Sequence, residues 1–100
     1  MPYKYTFYCG LSAKGKRVNP DLYRDVMKER YPGYTELQGR GVWCKQEEES
    51  ILFVVLVRTD DLYDYSKETA RLLRKAGDQE DVLLEIQDVQ EIWLTEVGEE

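Results

Sequence analysis

The strongest constraint on the fold is a run of seven consecutive apolar residues, Ile51–Val57, in the middle of the chain. A β-strand that is apolar on both faces is buried on both sides, which is typical of the centre of a sheet rather than its edge. The run is much shorter than the roughly 20 apolar residues that cross a membrane as a helix. We therefore expect a central strand here and no membrane partner.

Three further strands are predicted around this one. Tyr3–Cys9 alternates apolar and polar residues, which is typical of a half-buried strand. A second extended segment covers 34–45, with a bulge at Gly39–Gly41, because glycines inside a strand often mark a bulge. The polar residues Gln46–Ser50 predict the turn of a hairpin, and 82–94 predicts a long last strand with a bulge or turn in its middle.

Two helices are predicted between the strands. The first begins with Asn19 as its N-cap and Pro20 in the first helical position, and it ends before the Pro-Gly pair that follows. The second covers 61–76 and is capped by Asp60 or Asp61. Its apolar residues recur at helical spacing, so one face of this helix is expected to pack against the sheet.

These elements follow one another in the order β-α-β-β-α-β, in a single domain of 100 residues with 98–100 frayed at the end. The order is that of the ferredoxin-like fold, an α+β architecture in which a four-stranded antiparallel sheet carries two helices on one face. The helices leave the other face of the sheet bare, and several aromatic residues alternate with core positions. We therefore expect a homodimer that forms through this sheet face, stacking of a ligand on the same rings, or both together.

Composition excludes several kinds of site. The chain has no histidine, which excludes Ser-His and Cys-His nucleophile pairs and His-ligated metals. The net charge of −6 disfavours direct nucleic-acid binding. Cys9 and Cys44 are too few for a disulfide framework or a closed zinc site, so we predict a cytoplasmic protein with no cofactor and no metal. The two cysteines end two predicted strands, and are either small buried residues or a neighbouring redox pair.

Residues 10–17 hold the densest cluster of positive charge in this acidic chain. Lys14, Lys16 and Arg17 lie there on a glycine-hinged loop that can close over an anion, and Arg40 lies between two glycines. An aromatic ring nearby can stack on a nucleotide-like ligand. The candidate ligand-binding residues are therefore Tyr8, Lys14, Lys16, Arg17, Arg40, Trp43 and Glu49. The alternative is a solvated loop whose cations balance nearby carboxylates.

Several short motifs resemble a family of small bacterial and phage-encoded α+β domains of unknown function. The motifs keep their order and spacing over residues 5–94, and they are Phe7–Ser12, Tyr31–Thr35, Gly39–Trp43, Glu49 and Gln79–Val82. The resemblance implies the same compact α+β fold and supplies no activity. Cys9 departs from the pattern, which has a small or aliphatic residue there, so a redox role for this thiol is no part of the resemblance.

Three functions agree with these observations. The first is a non-enzymatic, dimeric binding protein that sequesters an anionic, nucleotide-like small molecule, as a phage-type anti-defence inhibitor does. The second is an inhibitor of a protein partner, acting through an acidic, nucleic-acid-mimicking surface in which Glu47–Glu49, Asp60 and Asp61 gather on one face. The third is a small enzyme without histidine that uses a tyrosine or a glutamate such as Glu49 as a base. The first is preferred, and the chain is thus predicted not to be an enzyme.

Overall fold

The computed structural model describes residues 2–58 and 61–91, without the side chain of Trp43. Eight elements follow one another along the chain: β1 (Tyr3–Gly10), β2 (Ser12–Ala13), β3 (Lys16–Arg17), α1 (Asp21–Arg30), β4 (Thr35–Trp43), β5 (Gln46–Val57), α2 (Tyr63–Ala76) and β6 (Leu83–Asp88).

The four longer strands form one antiparallel sheet in the order β4-β5-β1-β6. β5, which contains the apolar run, lies between β4 and β1, so the predicted central position is confirmed. The β1-α1-β4 unit is split by β5, and the β5-α2-β6 unit is split by β1, as in the ferredoxin-like arrangement. The predicted α+β architecture is therefore confirmed, with a small extra hairpin of β2 and β3 added after β1.

The core lies between the two helices and one face of the sheet. Alternate residues of the two central strands are buried there, Tyr5, Phe7 and Cys9 in β1 and Ile51, Phe53 and Val55 in β5, because side chains on one face of a strand repeat with a period of two. The buried apolar side chains of the sheet and helices include Tyr5, Phe7, Cys9, Tyr23, Met27, Ile51, Phe53, Val55 and Leu73. Removing these side chains from water is the main source of stability for a chain of this size.

The predicted bulge and the predicted turn in the β4–β5 hairpin are both wrong. The two strands pair without interruption from Thr35 opposite Val54 to Trp43 opposite Gln46. The turn consists of two residues, Cys44 and Lys45, which have left-handed φ values of 50° and 66°. The hairpin beyond Gly39 is exposed on both faces. Its polar residues therefore lack the alternation of apolar and polar side chains that predicts a strand, and they were predicted to form a turn. Backbone hydrogen bonds to β4 nevertheless hold them in β5.

The helix starts also differ from the predictions. α1 begins at Asp21, and the Asn19 side chain accepts a hydrogen bond of 3.0 Å from the Asp21 amide, so Asn19 still satisfies a backbone donor at this end. α2 begins at Tyr63, and the preceding residue, Leu62, makes no side-chain capping hydrogen bond. Asp61 therefore lies outside the cap position, and Asp60 lies outside the described residues.

The last strand is shorter than predicted, because β6 ends at Asp88. The rest of the predicted strand, at 92–94, and the predicted frayed end at 98–100 lie outside the described residues. Neither helix in the described part of the chain is long and apolar enough to cross a membrane.

The face of the sheet that the helices leave bare, called here the open face, is arranged in rows that run across the strands. One row is apolar and crosses all four strands, through Leu37, Leu52, Tyr8 and Leu83. The next row toward the hairpin turn is made of small residues, Gly39, Ser50 and Gly10. The change from large side chains in the first row to small ones in the second leaves a depression at one end of the open face.

Candidate functional site

The glycine-hinged loop predicted over 10–17 is a folded hairpin. β2 and β3 pair across a turn formed by Lys14 and Gly15, whose φ values are 52° and 78°. The amide of Leu11 donates a hydrogen bond of 2.9 Å to the carbonyl of Glu49, which attaches the base of this hairpin to β5. The β2–β3 hairpin therefore holds its cations at defined places beside the sheet.

Two of the predicted cations, Arg17 and Arg40, line one cleft on the helix side of the sheet, called here the arginine cleft. It has a volume of about 390 Å³ and is lined by Leu11, Arg17, Gln38, Gly39, Arg40, Glu49 and Ser50. Arg17 Nη1 lies 2.6 Å from Glu49 Oε2, and Arg40 Nη1 lies 3.9 Å from Glu47 Oε2. Both arginine side chains are largely exposed, so each can exchange its carboxylate partner for a ligand at small cost.

The two predicted lysines lie elsewhere. Lys14 Nζ forms an ion pair of 2.9 Å with Asp78, in the loop that follows α2. Lys14 and Lys16 line a second groove, beside the C-terminal end of α2, which Arg17 also lines. The arginine cleft therefore contains Arg17, Arg40 and Glu49 and neither lysine, whereas Arg17 lines both the cleft and the groove of the lysines.

Tyr8 lies on the opposite side of the sheet from the arginine cleft. Its hydroxyl donates a hydrogen bond of 2.9 Å to Glu85 Oε1. This hydrogen bond, together with burial, raises the pKa of Tyr8 above its ordinary value of 10.0, so the phenol stays protonated and is a poor base. The uninterrupted β4–β5 register also removes the bulge that would give Arg40 and Trp43 the same parity, and the side chain of Trp43 lies outside the described part.

A second depression, called here the open-face hollow, lies on the Tyr8 side of the same hairpin. It has a volume of about 410 Å³ and is lined by Tyr8, Gly10, Gly41, Glu48, Ser50, Gln79, Asp81 and Leu83. Two of its lining residues are glycines, Gly10 in β1 and Gly41 in β4, the strands on either side of β5. The arginine cleft and the open-face hollow are thus separated by the β4–β5 ladder.

Gln79 is a residue of this region that sequence reasoning did not select. Its Nε2 donates hydrogen bonds of 3.2, 3.0 and 3.3 Å to the carbonyls of Gly10, Ser12 and Gly77. It therefore connects the loop after α2 with the corner between β1 and β2. The signal that pointed to it was the Gln79–Val82 motif, which belongs to the family resemblance but carried no predicted role.

The acidic run Glu47–Glu49 does not gather on one face. Alternate residues of a strand point to opposite sides, so Glu47 and Glu49 lie on the helix side, each paired with an arginine. Glu48 lies on the open face, in the hollow. The structure thus provides no continuous acidic surface along this strand.

The two cysteines are not neighbours. Cys9 is buried in β1 and Cys44 is exposed in the hairpin turn, and both are free thiols. Burial raises the pKa of the Cys9 thiol to about 12, which makes it unreactive. The redox-pair alternative is therefore wrong, and so is the alternative in which both thiols are buried. Within 2–58 and 61–91, no three Cys, Asp or Glu side chains gather as a metal site.

No protein-family model and no curated protein matches this chain. Solved structures with the same fold do match, and two of them are phage enzymes. A phage SAM lyase in the apo state superposes with a TM-score of 0.69 at 22% identity, over 85% of this chain and 78% of that one. A phage SAM lyase in complex with S-methyl-5'-thioadenosine superposes with a TM-score of 0.70 at 21% identity, over 99% of this chain and 93% of that one.

These likenesses confirm the fold and agree with the resemblance to phage-encoded domains. They also correct the functional predictions. Both structures are of an enzyme, whereas the sequence was interpreted as a non-enzymatic sequestering protein or as an acidic protein-interaction inhibitor. Those two predictions are wrong, and of the three hypotheses only the enzyme without histidine agrees with the proteins that share this fold.

Proposed function

We propose that this chain is a lyase that cleaves S-adenosylmethionine (SAM). The observation that carries the proposal is the fold that the chain shares, over 99% of its length, with a phage SAM lyase in complex with S-methyl-5'-thioadenosine. The arginine cleft supports it independently, because it places guanidinium groups and a carboxylate beside one another. A substrate with a carboxylate, an ammonium and a sulfonium group needs both kinds of partner.

The bond that such an enzyme breaks follows from the chemical structures of SAM and S-methyl-5'-thioadenosine. S-methyl-5'-thioadenosine is SAM without its amino-acid chain, so the bond that breaks joins the sulfonium sulfur to the γ-carbon of that chain. One balanced route uses the substrate's own carboxylate as the nucleophile. A carboxylate oxygen forms a bond to the γ-carbon, the carbon–sulfur electron pair stays on sulfur, and the products are the thioether and an amino lactone. No proton moves and no water is consumed, so this route needs no histidine, which the chain lacks.

The arginine cleft can orient such a substrate. The ion pair between Arg40 and Glu47 is long, at 3.9 Å. The Arg40 guanidinium is therefore available for the substrate carboxylate. Glu49, which Arg17 holds at 2.6 Å, places a negative charge beside that position for the ammonium or sulfonium group. Attack neutralises the charges of the carboxylate and sulfonium, so the step is faster to the extent that the bound substrate displaces water from the cleft.

The test is the formation of S-methyl-5'-thioadenosine from SAM, followed by liquid chromatography and mass spectrometry against a protein-free control. Glu49→Gln is compared with Glu68→Gln, because Glu68 is also an exposed glutamate paired with one arginine, on α2 and away from the cleft. We expect turnover in the wild type and in Glu68→Gln, and a loss of roughly 100-fold in Glu49→Gln. Product formation no faster than in the protein-free control would refute the proposed function.

Two further properties belong to this proposal. Two copies of the chain associate through the open face around Leu37 and Leu56, which are 50% and 55% exposed. The protein acts in the cytoplasm, where its two free thiols stay reduced. Sedimentation equilibrium tests the association. We expect the mass of a dimer for the wild type and of a monomer for Leu37→Glu, and a monomeric wild type would contradict it.

A further inference from the structure

The end of α2 places Gln79 in a fixed position. The backbone amide of Gln79 donates a hydrogen bond of 3.0 Å to the carbonyl of Arg74, and that of Asp78 donates one of 3.2 Å to the carbonyl of Lys75. This pair of hydrogen bonds is the Schellman motif, which ends a helix with one residue in the left-handed conformation. That residue is Asp78, with a φ of 50°. The position of Gln79 is therefore set by the backbone at the end of α2.

The side-chain amide of Gln79 holds the corner between β1 and β2. Its nitrogen donates hydrogen bonds to the carbonyls of Gly10 and Ser12, which are the two neighbours of Leu11 in the chain. A carbonyl oxygen accepts hydrogen bonds and cannot donate them, so the amide nitrogen must face these groups. The Gln79 side chain is half-buried at this contact, and it fixes the backbone on both sides of Leu11.

Leu11 in turn connects this corner with the arginine cleft. It is buried and lines the cleft. Its amide donates a hydrogen bond of 2.9 Å to the carbonyl of Glu49, and its carbonyl accepts one of 2.9 Å from the amide of Val18. The second of these closes the base of the β2–β3 hairpin, because Val18 directly follows β3. Gln79 thus acts on the backbone that carries Arg17, although Gln79 itself does not line the arginine cleft.

The ion pairs of the β2–β3 hairpin are too weak to set its position. Both partners are largely exposed in the pair between Arg17 and Glu49 and in the pair between Lys14 and Asp78. Such ion pairs contribute little to stability, because water solvates both charges and the long side chains lose entropy. The half-buried hydrogen bonds of Gln79 are therefore the stronger attachment between the loop after α2 and the hairpin.

We propose that Gln79 is a positioning residue of the arginine cleft. Through the backbone around Leu11 it holds Arg17 beside Glu49, whose carboxylate is the proposed partner of the positive charges of the substrate. The Gln79–Val82 motif, which carried no predicted role, thereby contains a residue that shapes the site. The effect of Gln79 on turnover rests on the proposed lyase function, whereas its attachment of the hairpin does not.

Steady-state formation of S-methyl-5'-thioadenosine from SAM tests the effect on turnover. Gln79→Met removes both N–H donors in a side chain of similar length, and Gln79→Glu replaces them with acceptors. We expect both variants to lower kcat roughly tenfold, because a small displacement of a catalytic group is costly. We expect KM to change less than about threefold, because Arg40, the proposed partner of the substrate carboxylate, lies on β4 outside the hairpin.

Thr69→Val is the matched control. Thr69 is fully buried where α2 meets the end of α1, and it accepts hydrogen bonds from Arg30 and Tyr31. The variant therefore also replaces a hydrogen-bonded polar group by an apolar one of similar shape, away from the arginine cleft, and we expect its kcat to be unchanged. A kcat that is unchanged in Gln79→Met or in Gln79→Glu, or lowered equally in Gln79→Met and Thr69→Val, would overturn the proposal.

Hydrogen exchange of the backbone amides, followed by NMR in the absence of SAM, tests the attachment of the hairpin separately. We expect the amides of Leu11 and Val18 to exchange roughly tenfold faster in Gln79→Met than in the wild type, and not in Thr69→Val. Unchanged exchange in Gln79→Met, or equal acceleration in Thr69→Val, would also overturn the proposal. A wild type that forms no S-methyl-5'-thioadenosine would refute the lyase function alone, and the exchange rates would then decide whether Gln79 holds the hairpin.

Discussion

The hydroxyl of Tyr23 in α1 donates a hydrogen bond of 2.6 Å to the carbonyl oxygen of Gly10, at the end of β1. The same carbonyl accepts a hydrogen bond from Gln79, so the first helix and the loop after the second helix meet at one atom. Burial is the main cause that raises the pKa of Tyr23 to about 12, which keeps this donor protonated. Gly10 and its neighbour Leu11 border the two clefts, and this junction therefore holds both of them in place.

Gly77→Ala is expected to destabilise the fold by about 1–3 kcal/mol, because a methyl group at 77 would overlap the ring and hydroxyl of Tyr23. Tyr23→Phe is expected to cost about 1 kcal/mol, through loss of the hydrogen bond to Gly10. Equilibrium unfolding in urea measures both. Gly33→Ala is the control, since an added methyl group meets nothing within 4 Å there. Equal stabilities of the two alanine variants would show that Tyr23 does not occupy this space.

The hairpin turn can be improved. Cys44 and Lys45 have left-handed φ values of 50° and 66°, which are unfavourable for most side chains. Cys44→Asn with Lys45→Gly is expected to raise the free energy of unfolding by about 0.5–1 kcal/mol. Thermal unfolding followed by circular dichroism measures the change, with Val42→Gly in the extended strand as a control that lowers stability. A double variant less stable than the wild type would contradict the observed turn.

The two thiols are expected to differ in reactivity. Cys44 is exposed and reacts with a disulfide reagent at mildly alkaline pH, whereas Cys9 is buried with its pKa raised to about 12. Absorbance should show one reactive thiol per native chain and two after denaturation. Cys44→Ser removes the native reaction. A native Cys44→Ser protein that still reacts at once would mean that Cys9 is accessible.

Glu36 makes stability depend on pH. Arg24 donates hydrogen bonds of 2.8 and 2.9 Å to the two carboxylate oxygens of Glu36, and these lower the pKa of Glu36 from 4.5. Because the pKa of Glu36 is lower in the folded state than in the unfolded state, its ionisation stabilises the fold at pH values above the unfolded-state pKa. This contribution is lost as the pH falls through the folded-state pKa. Glu36→Gln is therefore expected to be less stable than the wild type at neutral pH and to approach it in acid. A destabilisation that is the same at both pH values would contradict this assignment.

Arg40→Ala is expected to raise the KM for SAM by roughly tenfold or more, because it removes the proposed partner of the substrate carboxylate. Arg71→Ala is the matched control, since Arg71 is also an exposed arginine with one glutamate partner. Steady-state kinetics of S-methyl-5'-thioadenosine formation compare the two. Equal KM values for the two variants would remove Arg40 from the proposed site.

Some of the site was visible in the sequence. Arg17 and Arg40 were selected from charge and glycine context and Glu49 from its place just before the apolar run, and the structure places all three in one cleft. Lys14 was selected by the same reasoning, but its partner, Asp78, is 64 residues away in the chain. Pairing over such a separation depends on how the loop after α2 docks on the β2–β3 hairpin, which no local pattern encodes.

The sequence by itself determined the α+β architecture and the central position of β5, because burial imposes a period of two on strands and a helical spacing on helices. Only the tertiary structure decided the length of the β4–β5 hairpin. It also decided that Glu48 lies on the open face while Glu47 and Glu49 lie on the helix side of the sheet. Residues 40–49 lie outside the core, where no hydrophobic pattern marks a strand, and the register of two paired strands sets which face each side chain takes. The two clefts exist for that reason on opposite sides of one ladder.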